Sequence, residues 1–224
     1  MQKMNKLFKN AYFTDRTIEH VAKSLHAQLD SKIDLHKDQF HPEKSCLLIL
    51  DMQKFFHAVD SHAFIPSTNA LIAPIKSLAD KYIKNNLPII VTKHINTETD
   101  AKQMDYWWRD ILAVDNELSK LIPDIEQINS ELIIKSQYDA FFNTNLDEIL
   151  KKKKVAQVII TGVMTHLCCE TTARSAFVRG YNVFFPIDGT ATYNLDFHSA
   201  TLTNLAHGFA NIVFIKKLLQ SFDE

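Results

Sequence analysis

A chain of 224 residues, 46% hydrophobic and 23% charged, has the makeup of a globular domain with one sizeable core. Its formal charge of −1 gives no basis for binding a polyanion or an anionic membrane surface. Three cysteines cannot close a disulfide framework, no stretch approaches the ~20 apolar residues of a membrane span, and no signal-peptide core opens the chain; a cytoplasmic protein is expected.

Residues 1–44 are polar with scattered apolar positions, and 14–29 has helical spacing. They read as an N-terminal helical extension, packed on the domain or on a neighbouring subunit, before a domain at 45–224. From there strand and helix signals alternate. Strands are expected at 46–50, 88–92, 131–134, 156–161, 181–185 and 211–214. Helical patterns occupy 67–85, 103–118, 146–152, 168–179 and 197–207, and a short helix from Lys216 closes the chain. The strands are rich in Ile, Val and Leu with little alternation, which indicates burial on both faces. Repeated βα units predict an α/β fold: a doubly wound, three-layer α/β/α domain with a six-stranded parallel sheet. The lysine run at 151–154 reads as a solvated helix end.

Ligands of such sheets bind outside the carboxyl ends of the strands. Three chemically capable side chains fall there: Asp51 after the first strand, Lys135 after the third, and Cys168 beyond the fourth. In residues 158–177 the β-branched run stops at Gly162, a polar turn follows, and a helical pattern begins at Cys168 and Cys169. A thiol at a strand-to-helix corner faces backbone N–H groups and the positive end of a helix dipole, both of which favour a thiolate. An ammonium would stabilise that thiolate and a carboxylate could shuttle its proton. Each residue also has an ordinary structural role: an Asp as helix cap, a Lys in solvent, a Cys as a small buried hydrophobe. Their shared location makes the case.

The Leu-Asp-Met-Gln first strand, the Ile-Lys-Ser-Gln-Tyr-Asp-Ala-Phe-Phe-Asn-Thr segment and Gly-Val-Met-Thr-His-Leu-Cys-Cys with Thr-Ala-Arg-Ser-Ala stand in a familiar order. Over roughly residues 44 to 215 the chain resembles the isochorismatase-like cysteine hydrolase superfamily, which includes nicotinamidases and N-carbamoylsarcosine amidohydrolases. The resemblance implies a catalytic triad of Asp51, Lys135 and Cys168. The motif Gly-Val-x-Thr-x-x-Cys selects Cys168 over Cys169. Siderophore-type isochorismatases resemble Gly-Val-x-Ala-His-x-Gly-Cys instead; this chain keeps His166 and Cys169 of that version but carries Cys168 in place of the glycine. The family further implies a cis peptide at Val163–Met164 and an oxyanion hole from the Thr165 and Cys168 N–H groups.

Metal-dependent nicotinamidases resemble Asp-x-His at the end of the second strand; here the residue two before His94 is Thr92, so no metal and no cofactor is expected. His57, His62 and His94 remain able to approach one another. The substrate pocket is expected from Phe56, Trp107, Trp108, Tyr138, Phe142 and His166, with Phe55 and Arg109 nearby. Adjacent tryptophans on one helix point about 100° apart, so one of the pair faces a pocket or an interface. The expected activity is hydrolysis of a small amide or carbamoyl C–N bond through a thioester, on a small-molecule substrate, by a homo-oligomer (dimer or tetramer). The alternatives are vinyl ether hydrolysis with Asp51 as acid and no covalent intermediate, and a non-catalytic binding module.

Overall fold

The computed structural model describes residues 8–31, 35, 38–108 and 111–223. Arg109 lies outside the described residues. The N-terminal helix α1, Ile18–Asp30, starts four residues later than its spacing suggested and buries Ala22, Leu25 and Leu29. It packs on the domain itself, against the Ile187–Gly189 turn and α8 (Leu195–Gly208). Ahead of it, Asn10 N–H donates to the Tyr193 carbonyl at 2.8 Å, and Tyr12 Oη accepts from Thr192 N–H at 2.9 Å.

Among the described residues, seven parallel strands form one sheet. They are β1 (Ser45–Leu50), β2 (Ile89–His94), β3 (Glu131–Lys135), β4 (Gln157–Val163), β5 (Asn182–Pro186), β6 (Thr190–Ala191) and β7 (Asn211–Val213). Their order is β3-β2-β1-β4-β5-β7, with the two-residue β6 pairing β4 alongside β5. The six expected strands are all present, and β6 adds a seventh, whose two residues between turn signals carry no periodicity to detect. All of β1 and β4 is buried, as their unbroken apolar runs require. The edge strand β3 departs from two-faced burial and leaves Leu132 and Ile134 about half exposed.

The remaining helices are α2 (Lys54–His57), α3 (Asn69–Lys84), α4 (Gln103–Trp108), α5 (Pro123–Glu126), α6 (Leu146–Lys152), α7 (Glu170–Val178) and α9 (Ile215–Gln220). None of the described helices is long and apolar enough to cross a membrane. The helix expected at 103–118 is a correction: α4 is described over Gln103–Trp108, residues 111–116 are not helical, and a 3₁₀ turn follows at Glu117–Ser119. Asn116 explains the later break, since its side chain accepts the Leu118 N–H and caps that turn. Met104, Trp108 and Leu112 do share a face at helical spacing, because all three line one cavity, but Leu112 gets there on non-helical chain tied to Asn96 N–H at 2.9 Å.

Strand order reverses between β1 and β4, so the connections that leave their carboxyl ends go to opposite sides of the sheet and open a crevice above paired strands. Gly162 makes the close approach there possible. It pairs with Leu50 at φ +102°, and a Cβ would lie 2.1 Å from the Leu50 carbonyl oxygen. Only glycine fits.

Candidate active site

Asp51, the first residue after β1, sits at φ 52°, a left-handed conformation that Asp tolerates better than most side chains. Thr92 of β2 holds it from both sides: the backbone N–H of Asp51 reaches Thr92 Oγ1 at 3.2 Å, and the Thr92 hydroxyl donates to Asp51 Oδ1 at 2.6 Å. The other oxygen, Oδ2, lies 2.7 Å from Lys135 Nζ, and both side chains are wholly buried. Lys135, the last residue of β3, also donates to the Gln137 carbonyl at 3.0 Å and to Cys168 Sγ at 3.4 Å. The ammonium thus has one ion-pair contact and two hydrogen bonds.

Cys168 lies in a π-helical turn, Thr165–Cys169, between β4 and α7. The Val163–Met164 peptide entering the turn is cis. The Leu167 and Cys169 N–H groups both donate to the Met164 carbonyl at 3.1 Å. The turn splits the paired cysteines: Cys168 lines a cavity, while Cys169 is fully buried in the hydrophobic core. Cys46 is buried in β1 and takes no part.

The electrostatics depart from the thiolate expected of a helix start. Burial pushes the Cys168 thiol up to about 12; Lys135 pulls it down, and Asp51 pushes it further up. Desolvation outweighs the ammonium, and the net shift favours the neutral thiol. For Lys135, burial works to lower the pKa, but the Asp51 carboxylate and Cys168 more than offset it and the net shift is upward. The site at rest is an ion pair beside a thiol.

Above Cys168 opens a cavity of about 60 Å³, walled by Phe55, Phe56, Ala63, Met104, Trp108, Leu112, Tyr138, Met164, Leu167 and Tyr193, with His62, His94 and Asn96 as polar members. Space of that size holds the centres of about four to six waters at roughly 10–15 Å³ each, which suits a single-ring molecule. Trp108 Nε1–H donates to Tyr138 Oη at 2.6 Å, so the phenol keeps its own proton free to donate.

Of the expected pocket residues, Phe56, Trp108 and Tyr138 line this cavity. Three do not. Trp107 is 71% exposed, about 100° round α4 from Trp108. Phe142 is 49% exposed, because the chain turns away after Tyr138 where Ala140 N–H binds Thr172 Oγ1 at 3.0 Å. His166 is engaged elsewhere, with Nδ1 2.6 Å from Thr192 Oγ1 and its ring stacked 4.4 Å from that of Phe197. Thr165 is buried with its hydroxyl bonded to Thr190 and His198, at 3.1 and 3.0 Å; Val163 lies in the core. Met164 is the turn residue that reaches the cavity.

The sequence reading missed Asn96, and it weighed His94 only as a metal ligand. Both lie at or past the end of β2, which runs to His94 rather than Thr92. A strand drawn two residues longer would have put them on the same sheet edge. Among the described residues no group of three or more His, Cys, Asp or Glu side chains is placed to hold a metal ion.

Comparison with known proteins agrees with this fold. The isochorismatase domain model matches residues 45–216. The chain is 37% identical over 195 residues to nicotinamidase 3 of Arabidopsis thaliana, covering 85% of this chain and 94% of that protein. It is 30% identical to enterobactin synthase component B of Escherichia coli, over 80% of this chain and 64% of the relative. Among solved structures, a cysteine hydrolase from Pseudomonas syringae superposes with a TM-score of 0.80 at 24% identity, over 84% of this chain and 97% of that one. An N-carbamoylsarcosine amidase from Thermoplasma acidophilum gives 0.67 at 21% identity, over 77% and 96%. The chain belongs to the isochorismatase family of hydrolases.

Proposed function

We propose that this hydrolase cleaves the C–N bond of a small planar carboxamide with Cys168 as nucleophile. The observation that carries the reading is the placement of Lys135 Nζ, 2.7 Å from Asp51 Oδ2 and 3.4 Å from Cys168 Sγ at the base of an aromatic cavity. Because the thiol rests protonated, it is activated as the reaction proceeds: Asp51 takes the proton while sulfur attacks the carbonyl carbon, and Lys135 stabilises the charge on both. The tetrahedral oxygen is held by peptide N–H groups of the turn, with Thr165 and Cys168 as donors. Asp51 returns the proton to the departing nitrogen, leaving a thioester on Cys168. Water, deprotonated by Asp51, then releases the carboxylic acid and restores the thiol.

The size of the cavity and the likeness to a nicotinamidase together favour a single-ring amide, and nicotinamide is the first compound to test. Vinyl ether hydrolysis, which needs no sulfur, has less support: His166 and Cys169 of the isochorismatase-like motif face away from the cavity. The test is ammonia release from a panel of small carboxamides by the wild type and Cys168→Ala. Loss of turnover in the variant, with a thioester trapped at Cys168 in the wild type, supports the proposal. Turnover that survives Cys168→Ala would rule it out.

A further inference from the structure

The polar wall of the cavity has a fixed hydrogen-bonding sense. Asn96 Nδ2 lies 2.8 Å from the Ser136 carbonyl, which can only accept, so the amide nitrogen must face Ser136. Asn96 Oδ1 therefore faces His94 Nε2, at 2.8 Å. That oxygen also only accepts, so Nε2 carries the imidazole proton. Burial, with the Lys135 ammonium adding to it, lowers the His94 pKa to about 4, partly offset by Asp51 and Asn96. A neutral ring protonated at Nε2 has a bare Nδ1. That atom is buried and has no partner among the described residues, on a side chain that lines the cavity.

The backbone of His94 is equally fixed. Its N–H donates to Gln53 Oε1 at 2.8 Å, and its carbonyl accepts from Gln53 Nε2 at 3.0 Å. His94 also pairs in register with Lys135, and its imidazole feels the charges of both Lys135 and Asp51. A buried acceptor without a donor is unfavourable, and a ligand that supplies the donor removes that cost.

We propose that His94 Nδ1 is a specificity-determining acceptor that takes an N–H of the substrate's scissile amide and selects N–H-bearing carboxamides over isosteric esters. This rests on the amide-hydrolase reading above. Held by one N–H at His94, the amide nitrogen can turn its lone pair toward Asp51, the group that protonates it on departure. His94 is on this view a positioning residue for the leaving group, acting by contact with substrate and exchanging no proton.

The experiment pairs a substrate carboxamide with its methyl ester and compares kcat/KM for wild type, His94→Phe and His94→Gln, alongside ¹⁵N NMR of the His94 ring in the full-length wild type. A site built around a substrate N–H discriminates strongly against an analogue lacking it. The amide-to-ester ratio should fall about 10–100-fold in His94→Phe and be largely restored in His94→Gln, whose Oε1 accepts. The NMR should show the Nε2–H form, with the Nδ1 resonance moving when the carboxamide binds Cys168→Ala. An unchanged ratio in His94→Phe, or an Nδ1–H ring in the wild type, overturns the assignment while amide hydrolysis stands. If His94→Phe does not fold, the NMR result and the His94→Gln ratio decide. Absence of all amide turnover by the wild type overturns the catalytic reading itself, and this inference with it.

Discussion

Lys135 Nζ lies 2.7 Å from Asp51 Oδ2, although the two residues end strands that are not neighbours: β2 runs between them. The lysine reaches across the end of β2 to the aspartate, and Thr92 of β2 holds the second carboxylate oxygen. Each charge is buried and depends on the other. Removing one leaves the second desolvated and unpaired, which typically costs about 3–5 kcal/mol.

Asp51→Asn and Lys135→Met should therefore each abolish turnover and lower stability by about 3–5 kcal/mol. The double variant, with no charge left to bury, should be more stable than the sum of the single losses. Urea unfolding of the four proteins in a thermodynamic cycle measures this; additive losses would mean that the pair is not coupled.

The thiol makes a second expectation sharp. With the Cys168 pKa pushed up to about 12, the iodoacetamide rate at this residue should climb about tenfold per pH unit from pH 7 to 10 without a plateau. Lys135→Met removes the one group that lowers the thiol's pKa, so its rate at pH 9 should fall further. Peptide mapping separates Cys168 from the core residue Cys169. A plateau near neutral pH would mean that the resting group is a thiolate.

The parallel sheet and the three residues at its edge were legible because strands buried on both faces leave unbroken apolar runs. Asp51 and Lys135 stand where an apolar run stops, and Cys168 follows the turn that ends another. The cavity wall was not legible to the same degree. Trp107 and Trp108 are alike in sequence, and only the rotation of α4 sends one outward. Phe142 is lost to a turn set by Thr172, 30 residues downstream. His94 escaped because a strand end tapering into polar residues has no sharp boundary. The upward shift of the Cys168 pKa was not legible for a different reason: complete burial is a tertiary property, and its desolvation outweighs the pull of the lysine.

Gly162 supplies a stability test with an internal control. Gly162→Ala would put a methyl group 2.1 Å from the Leu50 carbonyl oxygen, so β1 and β4 must separate and Asp51 must move with them. We expect insoluble or unfolded protein. Gly180 also has a positive φ, +90°, but a Cβ there would meet nothing within 4 Å, so Gly180→Ala should cost only the backbone strain of about 1–3 kcal/mol and retain activity. Equal effects of the two substitutions would contradict the close approach.

The tryptophans separate pocket from surface. Trp108→Phe removes the Nε1–H donated to Tyr138 and alters the cavity wall, so KM for a single-ring amide should rise several-fold. Trp107→Phe, at an exposed position, should leave KM unchanged. Acrylamide quenching of the two variants gives an independent readout: fluorescence from Trp108 alone should be the better protected and should respond to ligand.

Acid should destabilise the fold through histidines that burial keeps neutral. Desolvation lowers the pKa of His94 and His166 to about 4 and that of His198 to about 3. In the unfolded chain these groups take up protons near pH 6.5. Between pH 6.5 and about 4 the unfolded state thus binds more protons than the native state, and stability falls as pH drops through that window. Each excluded proton contributes a slope of up to about 1.4 kcal/mol per pH unit. Asp188 acts in the opposite sense, since burial raises its pKa and its contribution is lost as pH rises above the ordinary carboxyl range. A difference measurement removes that background: urea unfolding of wild type and His166→Gln at pH 7.5, 5.5 and 4.5 should show a shallower pH slope in the variant. Identical slopes would mean that His166 binds a proton as readily in the native state as in the unfolded chain.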